Sequence, residues 1–146
     1  MHRNVLRALS LSAVWVDPAD EAEVECDVLC PCALGGTIDD GNVGNLRCAI
    51  VCGSANNVLA GEHLADELAD RDILYAPDFI ANAGGLMNVY GELHRLPDAQ
   101  VRLLVAGIGE TVARILAEAE ESSTTPLAAA RDLAERRLAG AAAVAA

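Results

Sequence analysis

Three short apolar runs punctuate the chain, each closed by proline or glycine. They are Asp27-Val28-Leu29-Cys30 before Pro31, residues 48 to 52 before Gly53, and Ile73-Leu74-Tyr75-Ala76 before Pro77. The central run does not alternate between apolar and polar from Ala49 to Cys52. That pattern belongs to a strand of a parallel sheet covered on both faces. A fourth run, Ala13-Val14-Trp15-Val16, predicts a first strand ahead of these.

Between and after the strands the period changes to that of helices. Residues 3 to 12 place Val5, Leu6 and Leu9 on one face, as the end of a helix would. Asp17-Pro18 with Asp20, Glu21 and Glu23 is a helix start: cap, proline at the first position, acids in the first turn. Residues 39 to 46 allow at most a short helix, whereas 60 to 71 predict an amphipathic one with Leu64 and Leu68 inward. Val101, Leu104, Val105, Ile108, Val112, Ile115 and Leu116 mark one face of a long helix over about 98–120. Ser122 to Pro126 is a loop and cap, and Leu127 to Leu138 a last helix. The Ala-rich tail after Gly140 is expected to fray. The recurrence of strand, small-residue loop and helix predicts an α/β fold: a partial Rossmann-like parallel sheet of about four strands, with its core at 13–95. A helical segment follows, with helices at about 98–120 and 126–139.

Composition narrows the partners. At 146 residues there is room for one domain with a real core, and with 3% aromatics that core is aliphatic. A net charge of −12 argues against nucleic acid and anionic membranes as partners. No apolar run approaches the roughly 20 residues of a membrane helix, and the basic start of the chain lacks a signal-peptide core. Five cysteines without secretion marks predict free thiols in a cytoplasmic setting.

Candidate chemistry concentrates in the three loops after the strands. Gly53 permits a sharp turn, and Ser54 and Ala55 keep it narrow. Asn56 and Asn57 then stand at the crevice beyond the strand ends, where open α/β sheets bind ligands. Their amides suit a carboxylate, a carboxamide or a ribose hydroxyl, and equally suit a plain turn into the next helix. Other groupings are weaker. Cys30-x-Cys32 and Cys48-x-x-x-Cys52 miss the paired spacing of a zinc ribbon. Cys30, Cys48 and Cys52 read as small hydrophobes within strands, so no metal site is predicted. His63 and His94 sit among acids on solvated helix faces, without a nucleophile motif. Gly41-Asn42-Val43-Gly44 and Gly107-x-Gly109 are not placed between a strand and a helix start, as a phosphate cradle requires.

Three motifs occur in order: Cys30-Pro31-Cys32-Ala33-Leu34-Gly35-Gly36, Gly53-Ser54-Ala55-Asn56-Asn57, and Tyr75-Ala76-Pro77-Asp78-Phe79-Ile80-Ala81-Asn82-Ala83-Gly84-Gly85. Together they resemble the cofactor domain of the leucine/valine/phenylalanine dehydrogenases, within the glutamate dehydrogenase superfamily. The resemblance covers about residues 5 to 139. It implies NAD-dependent, reversible oxidative deamination of leucine, valine or phenylalanine to the 2-oxo acid and ammonia. It would set Cys32, Ala33 and Leu34 beside the adenosine ribose and pyrophosphate, and Ser54, Ala55 and Asn56 beside the nicotinamide ribose. Asn82 would border the nicotinamide, Asn57 would reach the substrate carboxylate, and Leu86 and Val89 would line the substrate side-chain pocket. The latter two are also at helical spacing and suit an ordinary core.

Departures from the family pattern are as informative. The resemblance starts inside the cofactor domain, without the family's catalytic domain, its glycine fingerprint or the acid that reads the ribose. The chain contains no lysine, and the terminal Arg131-Asp132 reverses the family's usual order. The expectation is therefore the C-terminal part of a dehydrogenase cofactor domain, with no catalytic residue of its own and inactive alone. The alternative is a non-catalytic binding or oligomerisation module. Either predicts a partner, through self-association or a missing amino-terminal half, because a partial sheet exposes apolar surface.

Overall fold

The computed structural model describes Arg7 and residues 10–145. Its sheet has three parallel strands in the order β1-β2-β3: β1 (Cys26–Leu29), β2 (Cys48–Val51) and β3 (Leu74–Tyr75). Leu29 stands opposite Val51, and Val51 opposite Tyr75. The three strands thus end on one line, and their loops leave the same edge of the sheet.

Helices follow as α1 (Leu64–Asp70), α2 (Asp78–Ala81), α3 (Gly84–Leu93), α4 (Asp98–Ser122) and α5 (Pro126–Ala145). No α-helix joins β1 to β2. That crossover is carried by a parallel bridge between Ile38 and Leu59 and a 3₁₀ turn at Val43–Asn45. Arg71 holds this turn by donating to the carbonyls of Val43 and Leu46. The main core lies on one face of the sheet, where Ile38, Val51, Val58, Leu64 and Leu68 are buried with Ile73 and Tyr75. A second core, Ile115 and Ala119 with Ala129 and Ala130, joins α4 to α5, and Ile80 of α2 packs against it.

Several expectations are corrected. Residues 13–16 form no strand: Val14 is 86% exposed and Trp15 66%, and a strand without a pairing partner has no ladder to hold it. The sheet accordingly has three strands among the described residues, not about four. The central strand is not covered on both faces, because Ala49 is exposed and Ile50 half-buried, and their neighbours Val28 and Leu74 also face outward. The segment at 60 to 71 turns helical only at Leu64. Asp17 caps a 3₁₀ helix, Pro18–Glu23, rather than an α-helix, accepting from Ala19 N at 3.0 Å. The last helix continues past Gly140, as a run of alanines favours. Val5, Leu6 and Leu9 lie outside the described residues.

The long helix forms as expected, but only Ile115 of its seven marked positions is fully buried; Leu104 is 40% and Val105 39% exposed. Ser123 ends it in the left-handed region, and Thr124 N–H then donates to Ala119 O at 2.9 Å.

Leu68→Ala is expected to cost about 2–5 kcal/mol in urea unfolding, the usual loss for a fully buried leucine. Leu103→Ala, on an exposed face of α4, should stay within about 0.5 kcal/mol. Burial pushes the Tyr75 phenol up to about 12. The folded state therefore keeps a proton that the unfolded chain loses near pH 10, so stability should fall as pH rises between those values. A stability series over that window, with Tyr75→Phe abolishing this component, checks the sign.

Candidate functional site

The loop after β1 and the loop after β2 are locked together by backbone geometry. Cys52 N–H donates to Leu29 O at 3.0 Å, and Ala55 N–H to Pro31 O at 3.0 Å. A Cβ on Gly53 would fall onto the Pro31 backbone, 2.7 Å from its carbonyl carbon, so only glycine allows the approach. The two loops meet again further on, where Gly36 N–H donates to Asn57 O at 2.7 Å. Asn57 adopts φ 52°, a left-handed turn conformation that asparagine tolerates.

The loop after β3 is tied to the same place by side chains. Asp78 accepts from Val58 N–H at 2.7 Å, fixing the exit of the β2 loop. Asn82 donates its amide to Ala55 O at 3.1 Å and to Asn56 Oδ1 at 2.7 Å. All three strand-end loops thus form one connected edge.

The predicted residues divide into groups. Cys32, Ala33 and Leu34 are exposed on the first loop, and Ser54 and Asn56 on the second, with Asn82 half-buried between the second and third. Ala55 is buried, with both backbone groups engaged, so it acts as a post for the loop. Asn57 lines a cleft of about 350 Å³ with Tyr75, Asp78, Phe79, Leu127 and Arg131. Leu86 (74% exposed) and Val89 (50%) stand open on α3 and do not line that cleft.

Sequence reasoning passed over Asp78, although an acid directly after Pro77 at a helix start was the available signal. It also misread the environment of Cys30 and, though it set His63 rightly among acids on a solvated face, missed that residue's pairing. Cys30 follows β1 rather than lying in it, and both Cys30 and Cys32 are exposed. His63 precedes α1 and pairs with Asp40 at 2.7 Å. That hydrogen bond raises the imidazole and lowers the carboxyl from their ordinary values. Glu67 brings a third ligand atom within 4.8 Å, and all three residues are exposed. Among the described residues, no helix is long and apolar enough to cross a membrane.

The edge fits one wall of a dinucleotide. It is made of small residues and amides, with no charged side chain in the first two loops. It contains no glycine-rich strand-to-helix turn, so a pyrophosphate cradle is not part of it.

Comparison with known proteins shows the family. The model of the glutamate/leucine/phenylalanine/valine dehydrogenase family matches residues 7–144. Valine dehydrogenase of Streptomyces albus is 45% identical over 113 residues, 77% of this chain and 31% of the relative. Leucine dehydrogenase of Bacillus subtilis is 37% identical over 137 residues, 93% of this chain and 38% of the relative. The crystal structure of L-tryptophan dehydrogenase from Nostoc punctiforme superposes with a TM-score of 0.87 at 36% identity, covering 91% of this chain and 40% of that one. The chain spans about a third of the length of the curated relatives it matches. It belongs to the glutamate/leucine/phenylalanine/valine dehydrogenase family.

Proposed function

We propose that these residues are the cofactor-domain portion of an NAD-dependent L-amino-acid dehydrogenase of the cytoplasm. The reaction is reversible oxidative deamination of leucine, valine or phenylalanine to the 2-oxo acid and ammonia. The observation that carries the reading is the junction of the loops, where Asn82 bridges Ala55 O and Asn56 Oδ1 at the carboxyl ends of parallel strands. The names of the valine and leucine dehydrogenases among its relatives support the substrate class.

Bound NAD would supply the hydride acceptor. Cys32, Ala33 and Leu34 would lie along its adenosine side, and Ser54, Asn56 and Asn82 along its nicotinamide side. Their small side chains let a flat ligand approach the backbone, while the Asn56–Asn82 pair fixes the orientation of both amides. Asn57 would donate to the amino-acid carboxylate, and Leu86 and Val89 would offer apolar contact to its side chain. No lysine is present among the 146 residues, so the family's lysine chemistry is supplied by groups outside them.

The uncovered sheet face around Val28 and Leu74 supports an assembly role alongside this one. Further chain or a second copy would cover it. Light scattering of the 146 residues alone should show self-association; a monodisperse monomer would count against it.

Catalysis is tested by seating these residues in place of the matching segment of the Streptomyces albus enzyme. The chimera is expected to reduce NAD with valine, whereas the free chain is expected to show no turnover. In the chimera, Asn57→Asp keeps a residue that tolerates the left-handed turn but opposes a carboxylate. It should lower kcat/KM for the amino acid by about 10- to 100-fold. Turnover by the free chain would overturn its being only a portion of the enzyme, no turnover by the chimera would sink the dehydrogenase assignment, and an unchanged kcat/KM in the variant would sink the role of Asn57.

A further inference from the structure

The loop after β1 carries two exposed thiols whose arrangement the dehydrogenase reading does not use. Cys30 Sγ and Cys32 Sγ lie 3.7 Å apart. Their proximity has a backbone cause. A residue before proline is held extended, and in extended chain positions two apart project to one side. Pro31 between them is buried, and its carbonyl is held by Ala55 N–H. The segment carrying both sulfurs is therefore fixed at its centre. Bringing the sulfurs to bonding distance, about 2.0 Å, asks for side-chain motion of under roughly 2 Å.

The two thiols are also chemically unequal. Hydrogen bonds from the Ser54 hydroxyl and backbone N–H favour the thiolate at Cys32 and hold it below the ordinary thiol range. Cys30 is raised, first by its hydrogen bond with Cys32 and then by burial, with Cys52 adding to the effect. The two shifts run in opposite directions, so Cys32 is the readier of the pair to form a thiolate. Cys26, Cys48 and Cys52 are only partly exposed, and burial raises Cys48.

We propose that Cys30 and Cys32 form a peroxide-oxidisable dithiol, with Cys32 the attacking and Cys30 the resolving residue. The Cys32 thiolate attacks one oxygen of hydrogen peroxide; the O–O bond breaks, leaving sulfenic acid on Cys32 and hydroxide, which leaves as water once protonated. The Cys30 sulfur then attacks the Cys32 sulfur. The S–S bond forms, the S–O bond breaks, and the Cys30 proton departs with that oxygen as a second water. The two thiols give up two electrons and the peroxide takes them. A small-molecule dithiol reverses the change. Nothing in this chemistry needs bound nucleotide, and the test is made without it, because NAD lying along Cys32 as proposed above would cover that thiol.

The test uses the full chain, reduced and then exposed to one equivalent of hydrogen peroxide. Remaining thiols are blocked with N-ethylmaleimide, and sites are assigned by fragment mass spectrometry. The expected product has lost two hydrogens, with Cys30 and Cys32 unblocked and joined while Cys26, Cys48 and Cys52 carry the label. Cys30→Ser should halt at a sulfenic acid on Cys32 that dimedone traps. Cys32→Ser should be oxidised several-fold more slowly and form no disulfide. A disulfide elsewhere, full labelling of Cys30 and Cys32 after peroxide, or equal oxidation of Cys32→Ser would overturn the proposal. The site map of the unsubstituted chain decides the matter even where a variant does not fold.

Discussion

The Pro31 carbonyl accepts from Ala55 N–H because Gly53 carries no side chain to keep the two backbones apart. That contact continues the pairing of β1 with β2 beyond Leu29 and Val51, where the strands themselves end. Proline donates no hydrogen bond of its own, so the strand stops there while its carbonyl still receives one. The consequence reaches the whole edge. With Ala55 fixed, its own carbonyl is presented to Asn82, and the third loop is drawn to the first two. A methyl group at Gly53 would act on all three loops at once.

The parallel sheet was legible because its strands are short apolar runs with hard stops, and Pro31, Gly53 and Pro77 mark those stops without tertiary information. The failures have a common physical origin. Ala13 to Val16 carries a strand composition, but a strand is a relation between two segments, and Trp15 finds no pairing partner among the described residues. The same limit explains the sheet face. An unbroken apolar run says that both sides favour burial; it does not say that the described residues supply both covers. Within the candidate site, local signals pointed to Asn56 and Asn57, whereas Asn82 entered only through the family resemblance. The long-range bond from Asp78 to Val58, twenty residues away in the chain, had no periodic signature to betray it.

Arg131 has a structural use in this chain. Arg131 forms a paired contact with Glu62, tying α5 to the segment ahead of α1 along the rim of the cleft that Asn57 lines. Both partners are partly exposed, so the pair orients that rim more than it stabilises the fold.

Charge placement bears on what the proposed cofactor wall could hold. A dinucleotide brings a negatively charged pyrophosphate, and the chain already carries a net −12. Its ten basic residues are all arginines, and none falls in the loops at 30–36, 53–57 or 77–85. Several are committed elsewhere: Arg71 to backbone carbonyls, Arg131 to Glu62, and Arg136 to Glu118 and Asp132. Neutral amides and small side chains can position a nucleotide's rings, but they do not offset the charge of its phosphates. That task falls to a glycine-rich turn at a helix start or to a cation, and this edge has neither. On the proposed function, these residues would wall a flat ligand, and a pyrophosphate lying along them would call for electropositive groups that the three loops do not hold.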